Sequence, residues 1–131
     1  MIHLLDVNAL VALGFDSHEF HSRMALWVRA QNIPQVASCS ITELGFVRVL
    51  AQTPAYDFTV TKARTLLIRL KSSRAARFTF MADGNDISHL PGWVKTAKQI
   101  TDGHLAKLAT ANGAVLTTLD ENIPGSFVVP R

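Results

Sequence analysis

The sequence predicts an α/β protein in which helices cover both faces of a central, mainly parallel sheet, a three-layer α/β/α arrangement. Short apolar runs at residues 2–5, 35–39 and 114–119 are separated by longer segments whose apolar residues recur at helical spacing. Alternation of strands and helices is typical of parallel sheets with right-handed crossovers. The length of 131 residues, with 48% hydrophobic and 18% charged residues, predicts a single folded domain over residues 1–131.

Composition also limits the class of protein. No apolar stretch approaches the length that spans a bilayer, and the N-terminus lacks the basic region and cleavage site of a signal peptide, so we expect a cytoplasmic protein with no membrane contact. The single cysteine, Cys39, excludes an intrachain disulfide and a zinc site built from several cysteines. A net charge of +3 and a pI near 9.4 are compatible with a polyanionic partner without establishing one.

The first apolar run, residues 2–5, ends abruptly at Asp6. A run of this length is too short for a buried helix and predicts a buried strand, after which Asn8 can cap a helix. Ligands of open α/β sheets bind beside the carboxyl ends of the strands, so Asp6 is a candidate site residue. The alternative is that Asp6 is only a turn or cap residue.

The next helix is predicted to begin at Asp16 or Ser17, since Asp16 and Glu19 have the spacing of a capping box. A second strand at residues 35–39 is followed by a helix that starts near Ser40.

Glu43 in that helix has two interpretations. Ser40 and Glu43 match a capping box, in which Glu43 bonds back to the first amide of the helix. Glu43 also shares a helical stripe with Phe46, Val47 and Leu50, where an unpaired charge is costly. This second interpretation requires a nearby cation, although no basic residue shares the stripe.

The middle of the chain is basic. A helix is predicted from about Thr59 to Ser72, followed by a strand at residues 77–81. No acidic residue interrupts the basic run, which can bind a phosphate backbone or can simply form a solvated face. The candidate RNA-binding residues are Arg69, Lys71, Arg74 and Arg77.

The last third of the chain places two more carboxylates at element ends. Thr101 can cap a helix that begins at Asp102, and the apolar strand 114–119 ends in Asp120, as the first strand ends in Asp6. Residues 127–129 are predicted to add an edge strand, limited by the proline that follows.

Taken together, the predicted topology brings four acids to one edge of the sheet. Converging carboxylates repel one another unless a cation lies between them, and oxygen ligands suit Mg²⁺ or Mn²⁺. Two such ions about 3.5–4 Å apart can assist hydrolysis of a phosphodiester. The predicted metal-binding and catalytic residues are Asp6, Glu43, Asp102 and Asp120.

The residues around these acids resemble the motifs of the PIN-domain ribonucleases, in the toxin branch called VapC. The resemblance covers essentially the whole chain in order and length. It is carried by Leu5-Asp6-Val7-Asn8, Thr42-Glu43-Leu44, Thr101-Asp102-Gly103-His104-Leu105 and Leu116-Thr117-Thr118-Leu119-Asp120.

This resemblance implies that the same four acids bind metal, with Asn8 and Thr118 as supporting polar residues. It further implies a homodimer, a cognate antitoxin protein and cleavage of structured RNA. Two positions depart from the pattern: His104 stands where family members often carry an aromatic residue, and Glu121 follows Asp120 where a basic or neutral residue is common.

Two other functions remain open at this point. Haloacid-dehalogenase-like phosphatases also begin with an aspartate nucleophile at the end of a first strand, but their second acid, two positions on, is Asn8 here. A catalytically inert module of the same fold could bind RNA or protein without cutting, although the presence of all four acids argues against it.

Overall fold

The structure is a computed structural model that describes residues 1–131, and it contains a five-stranded sheet in which every strand pair is parallel. The order across the sheet is β3-β2-β1-β4-β5. The strands are β1 (Ile2–Leu5), β2 (Gln35–Ser38), β3 (Arg77–Phe80), β4 (Ala114–Thr118) and β5 (Phe127–Val128). The predicted α/β class with a mainly parallel sheet is confirmed.

Five helices cover the two faces of this sheet. They are α1 (Val7–Gly14), α2 (His21–Ala30), α3 (Ser40–Gln52), α4 (Val60–Lys71) and α5 (Ile100–Ala111). Because successive side chains of a strand point to opposite faces, Leu5 joins the apolar core under α1–α4, whereas Leu4 joins the core under α5. None of the helices combines the length and the apolar character that a membrane crossing requires.

The central position of β1 fixes the geometry of the site described below. Its backbone pairs with β2 on one side and with β4 on the other, and Leu5 lies opposite Thr117. All four residues of β1 are buried or half-buried. Burial on both faces explains why this strand is an uninterrupted apolar run rather than an alternating one.

Two helices begin at other residues than predicted. The start of α2 at Asp16 or Ser17 is wrong: both residues are exposed in a turn, and the helix begins at His21. The ring of Phe15 packs edge-on against Tyr56 and Phe58, and this tertiary contact sets the course of the connection. The capping-box spacing is therefore left unused.

The start of α5 at Asp102, with Thr101 as its cap, is also wrong. The helix begins at Ile100, directly after a short 3-10 turn at residues 97–99. Thr96 and Gln99 form a capping box on that turn, which starts the helical segment earlier than Thr101. Asp102 still lies in the first turn of α5.

A close approach between α1 and α3 depends on Gly45. A Cβ atom at this position would lie 2.5 Å from Cγ2 of Val7, which follows Asp6 directly. The glycine therefore allows the helix that carries Glu43 to pack against the start of α1.

We predict that Gly45→Ala destabilises the protein, although alanine is otherwise the better helix residue by about 1 kcal/mol. Overpacking of a tight core typically costs about 1–3 kcal/mol, and the clash falls on a backbone-proximal methyl group. Chemical denaturation of Gly45→Ala, Val7→Ala and the double variant measures the coupling. The double variant should recover part of the loss; a Gly45→Ala protein as stable as the wild type would contradict the close approach.

Candidate active site

Asp6 occupies the junction between β1 and α1. It is the N-cap of α1, and its Oδ1 accepts a hydrogen bond of 2.8 Å from the Val7 amide. Its own amide donates to the carbonyl of Thr117 on β4 at 2.9 Å. The residue is only 7% exposed. Asp6 is thus a cap residue, as in the alternative interpretation, but its second oxygen, Oδ2, faces β4.

Thr118 takes up that second oxygen and joins it to the end of β4. Its hydroxyl donates to Asp6 Oδ2 at 2.9 Å and accepts from the Asp120 amide at 3.0 Å. Thr118 is fully buried, so the geometry of this bond is fixed by the surrounding core. One hydroxyl therefore sets the positions of two of the candidate acids.

Asn8 has a different local role from the predicted one. It lies inside α1 and is not the cap, because Asp6 takes that position. Its Oδ1 accepts from the Leu119 amide at 3.2 Å and lies 3.3 Å from Thr118 Oγ1. Asn8 therefore ties α1 to the end of β4, beside Asp6.

The electrostatics show which acids lie within reach of each other. Burial raises the pKa of Asp6 above its usual value, and the charge of Asp120 adds to that rise, against the hydrogen bonds from Thr118 and Val7. The pKa of Asp102 is also raised, first by burial and then by the charges of Asp6 and Asp120. Residues from β1, α5 and the end of β4 thus form one acidic cluster, Asp6, Asp102 and Asp120.

Glu43 bonds to residues outside this cluster. Its Oε2 accepts 2.6 Å hydrogen bonds from the Ser38 hydroxyl and from the Lys71 ammonium. The capping box of Ser40 and Glu43 is absent, because Cys39 is the N-cap of α3 and Thr42 bonds back to its amide. The cation that Glu43 requires therefore comes from the end of α4, outside the stripe on α3.

The predicted basic run does not form one surface. Lys71 is half-buried against Glu43, whereas Arg69 and Arg74 are exposed. Arg77 begins β3, at the amino edge of the sheet, and its register partner is Gln35. Arg77 therefore lies at the edge opposite the acids.

His104 and Glu121 contact residues other than the candidate acids. The His104 ring bonds the carboxylate of Asp83, and this contact joins α5 to the loop after β3. Glu121 forms an exposed ion pair of 2.8 Å with Arg131. Neither side chain bonds to the acidic cluster.

Sequence reasoning missed Ser38 as a site residue and Lys71 as the partner of Glu43. Ser38 was detectable in principle, because a polar residue at the end of a buried strand lies at the ligand-binding edge. Lys71 gave no such signal, since 28 residues separate it from Glu43.

The donor chemistry of the cluster fits a hard divalent cation. No three His, Cys, Asp or Glu side chains meet as a closed metal-ligand group. Mg²⁺ does not require one, because it usually keeps several waters and takes one or two protein carboxylates plus substrate phosphates. Asp6, Asp102 and Asp120 supply oxygens only, and their mutual repulsion is relieved by a cation.

A parallel α/β sheet whose carboxyl edge carries aspartates from β1, α5 and β4 defines the class of the protein as a PIN-like domain. Ribonuclease VapC38 of Mycobacterium tuberculosis is 37% identical over 127 residues, which are 92% of this chain and 86% of that protein. Ribonuclease VapC44 of the same species is 36% identical over 126 residues, covering 92% and 87%. The chain belongs to the VapC ribonuclease family.

Solved structures agree on the fold. The crystal structure of Mycobacterium tuberculosis VapC20, described as a toxin that cleaves the sarcin-ricin loop, matches with a TM-score of 0.62 at 13% identity and covers 98% of both chains. VapBC2 of Rickettsia felis, solved bound to a DNA fragment from its promoter, matches with a TM-score of 0.56 at 15% identity, covering 98% of this chain and 97% of that one. No family model matches the chain.

We predict that, in chelator, Asp102→Asn is more stable than the wild type near pH 7. A raised folded-state pKa means that the stability contributed by the carboxyl group is present below its unfolded pKa, near 3.8, and is lost as pH rises through the folded pKa. The wild type should therefore lose more stability than the variant between about pH 4 and pH 7. Denaturant titrations of both proteins across this range provide the measurement.

Saturating magnesium should reverse this order. Binding to the native state alone adds about 2.7 kcal/mol at a hundredfold excess over the dissociation constant, and the variant loses part of that gain. An Asp102→Asn protein that is less stable than the wild type in chelator, or equally stabilised by magnesium, would argue that Asp102 does not share a cation site.

Proposed function

We propose that this chain is the toxin of a toxin-antitoxin pair, an endoribonuclease that hydrolyses RNA phosphodiester bonds with Mg²⁺ or Mn²⁺. The observation that carries the proposal is the acidic cluster: Asp6, Asp102 and Asp120 come from separate elements, yet each lies within electrostatic reach of another. We assign metal-binding and catalytic roles to these three residues and to Glu43.

The chain's own residues position this chemistry. Thr118 orients Asp6 and the Asp120 backbone, and Asn8 fixes the end of β4 against α1. Asp6, Asp102 and Asp120 would hold the cation, with Glu43 completing the acidic edge. Bound there, the cation would supply Lewis-acid catalysis and an activated water. The buried hydrogen bond from Thr118 lowers the pKa of Asp6 and so offsets part of the rise that burial causes.

The geometry favours this function over the phosphatase. In that alternative the residue two positions after the nucleophile is an acid that moves protons. Asn8 is an amide, and its oxygen is bonded to the Leu119 amide. Asn8 therefore has a positioning role, and its amide cannot act as a general acid or base. An inert binding module does not require a cluster of carboxylates that repel one another. Without a cation between them, this repulsion only destabilises the fold.

A protein partner is supported by a groove beside the site. Leu44, Val60 and Ile68 are 54–65% exposed and line, with Glu43 and Arg64, a groove of about 350 Å³ between α3 and α4. Exposed apolar surface of this kind marks protein interfaces. We propose that a cognate antitoxin docks on this side of the molecule and that an antitoxin arginine pairs with the acids. We further propose a cytoplasmic homodimer that acts on structured RNA.

We predict that the protein cuts RNA only with Mg²⁺ or Mn²⁺ and leaves a 5′ phosphate, because carboxylates that bind a cation favour an activated water over attack by the 2′ hydroxyl. Asp6→Asn and Asp102→Asn should abolish cleavage, and Asp120→Asn should weaken it less. Incubation with total RNA in magnesium or chelator, with analysis of product ends, is the measurement.

The matched control is Glu121→Gln, since Glu121 adjoins Asp120 but pairs only with Arg131. It should leave cleavage unchanged. A 2′,3′-cyclic phosphate product, or full activity of Asp6→Asn in a folded protein, would overturn the assignment.

We also predict that the basic residues contribute unequally to RNA binding. Lys71 ends α4 and contacts Glu43, whereas Arg77 begins β3 at the opposite edge of the sheet. Charge removal at a phosphate contact lowers the slope of log affinity against log salt by about 0.7 to 0.9. Binding titrations at several salt concentrations should show this decrease for Lys71→Ala, and a smaller one for Arg77→Ala. Equal slopes for all variants would show that the run is only a solvated face.

A further inference from the structure

Phe80 is an exposed aromatic residue at the same edge of the sheet as the acids. It ends β3, and 53% of it is exposed. Its register partner on β2 is Ser38, whose hydroxyl donates to Glu43. The function described above makes no use of this ring.

Lys71 connects the ring to the acidic edge. Its ammonium lies 5.6 Å from the centroid of the Phe80 ring and 2.6 Å from Glu43 Oε2. An ammonium has three donors, and one is directed to Glu43, so others are available. Its side chain is 31% exposed, which leaves it accessible from solvent. A cation and an aromatic face are thus presented together beside a candidate catalytic acid.

This pairing matches the two parts of a nucleotide. Every base has a π-face that stacks on an aromatic side chain, and every phosphate bonds a lysine ammonium. We propose that Phe80 and Lys71 form a nucleotide subsite, in which an unpaired base next to the cleavage position stacks on Phe80 while its phosphate bonds Lys71. The identity of the ligand rests on the proposed function, in that the nucleotide belongs to an RNA substrate.

A protein partner is the competing occupant, for example a second copy of this chain. A stable interface buries about 800 Å² on each partner and has an apolar centre. On β3 itself Phe80 is the only exposed apolar residue, because Arg77 and Thr79 are polar and Phe78 is half-buried. The exposed apolar residues Leu44, Val60 and Ile68 line the separate groove between α3 and α4 that we assign to the antitoxin. A single ring beside a cation suits a base better than a protein surface.

The test compares two ligands that differ only in their bases: a short oligoadenylate and an abasic oligomer of the same length, both fluorescently labelled. Binding is measured by anisotropy in chelator, so that no cleavage occurs. The wild type should prefer the oligoadenylate. Phe80→Leu should reduce this preference roughly tenfold, because the substitution keeps an apolar side chain but removes the stacking face. Phe80→Trp should restore it.

Lys71→Met separates the two halves of the subsite. It should weaken binding of both oligomers by the same factor, leave the preference unchanged, and lower the salt slope by about 0.7. The matched control is Leu26→Ala, an exposed apolar residue on α2 with 60% exposure, and it should change neither quantity.

An unchanged preference in Phe80→Leu would overturn the subsite. So would a Phe80→Leu protein whose oligomeric state changes in sedimentation while its preference does not, because a protein contact would then explain the exposed ring. The cleavage assay keeps this result separate from the proposed function. If the wild type cuts RNA but Phe80→Leu keeps the preference for oligoadenylate, only the subsite is refuted. If the wild type does not cut RNA but Phe80→Leu loses the preference, only the nuclease assignment is refuted.

Discussion

The hydrogen bond from Thr118 to Asp6 is the interaction on which the acidic edge depends. It joins the ends of two adjacent parallel strands, and the pairing of Leu5 with Thr117 brings its donor and acceptor together. Because a shift of register by one residue turns every side chain of a strand to the other face, the core itself enforces this register. The position of the carboxylate is therefore determined by burial of the neighbouring apolar residues.

Glu43 shows how the same fold treats a different acid. The pKa values of Asp6 and Asp102 are raised, chiefly by burial and further by neighbouring carboxylates, so ionisation of these groups lowers the stability of the fold. Glu43 instead meets the ammonium of Lys71 and the hydroxyl of Ser38. Glu43 thus has a cation of the chain beside it, whereas Asp6 and Asp102 form no ion pair with a basic side chain.

The family to which the chain belongs and the contacts in its structure point to the same residues around the acids. The relatives establish that the chain is a VapC ribonuclease homologue, and the structure shows which contacts hold the acids in place. The role of Asn8 is an example, because the family resemblance implies a supporting residue and the structure identifies its contact, the Leu119 amide. A resemblance in motif does not specify such a contact.

The sequence by itself determined the alternation of strands and helices, and it placed Asp6 and Asp120 directly after buried strands. Both are local signals, because the spacing of apolar residues and a carboxylate at the end of an apolar run can be recognised within one segment. Only the tertiary structure decided the pairing of Glu43 with Lys71, which joins residues 28 positions apart. It also decided where α2 begins, since packing of Phe15 against Tyr56 overrides the capping spacing of Asp16. Local chemistry fixes what each segment can form, whereas side-chain contacts between distant segments exist only once the helices pack on the sheet.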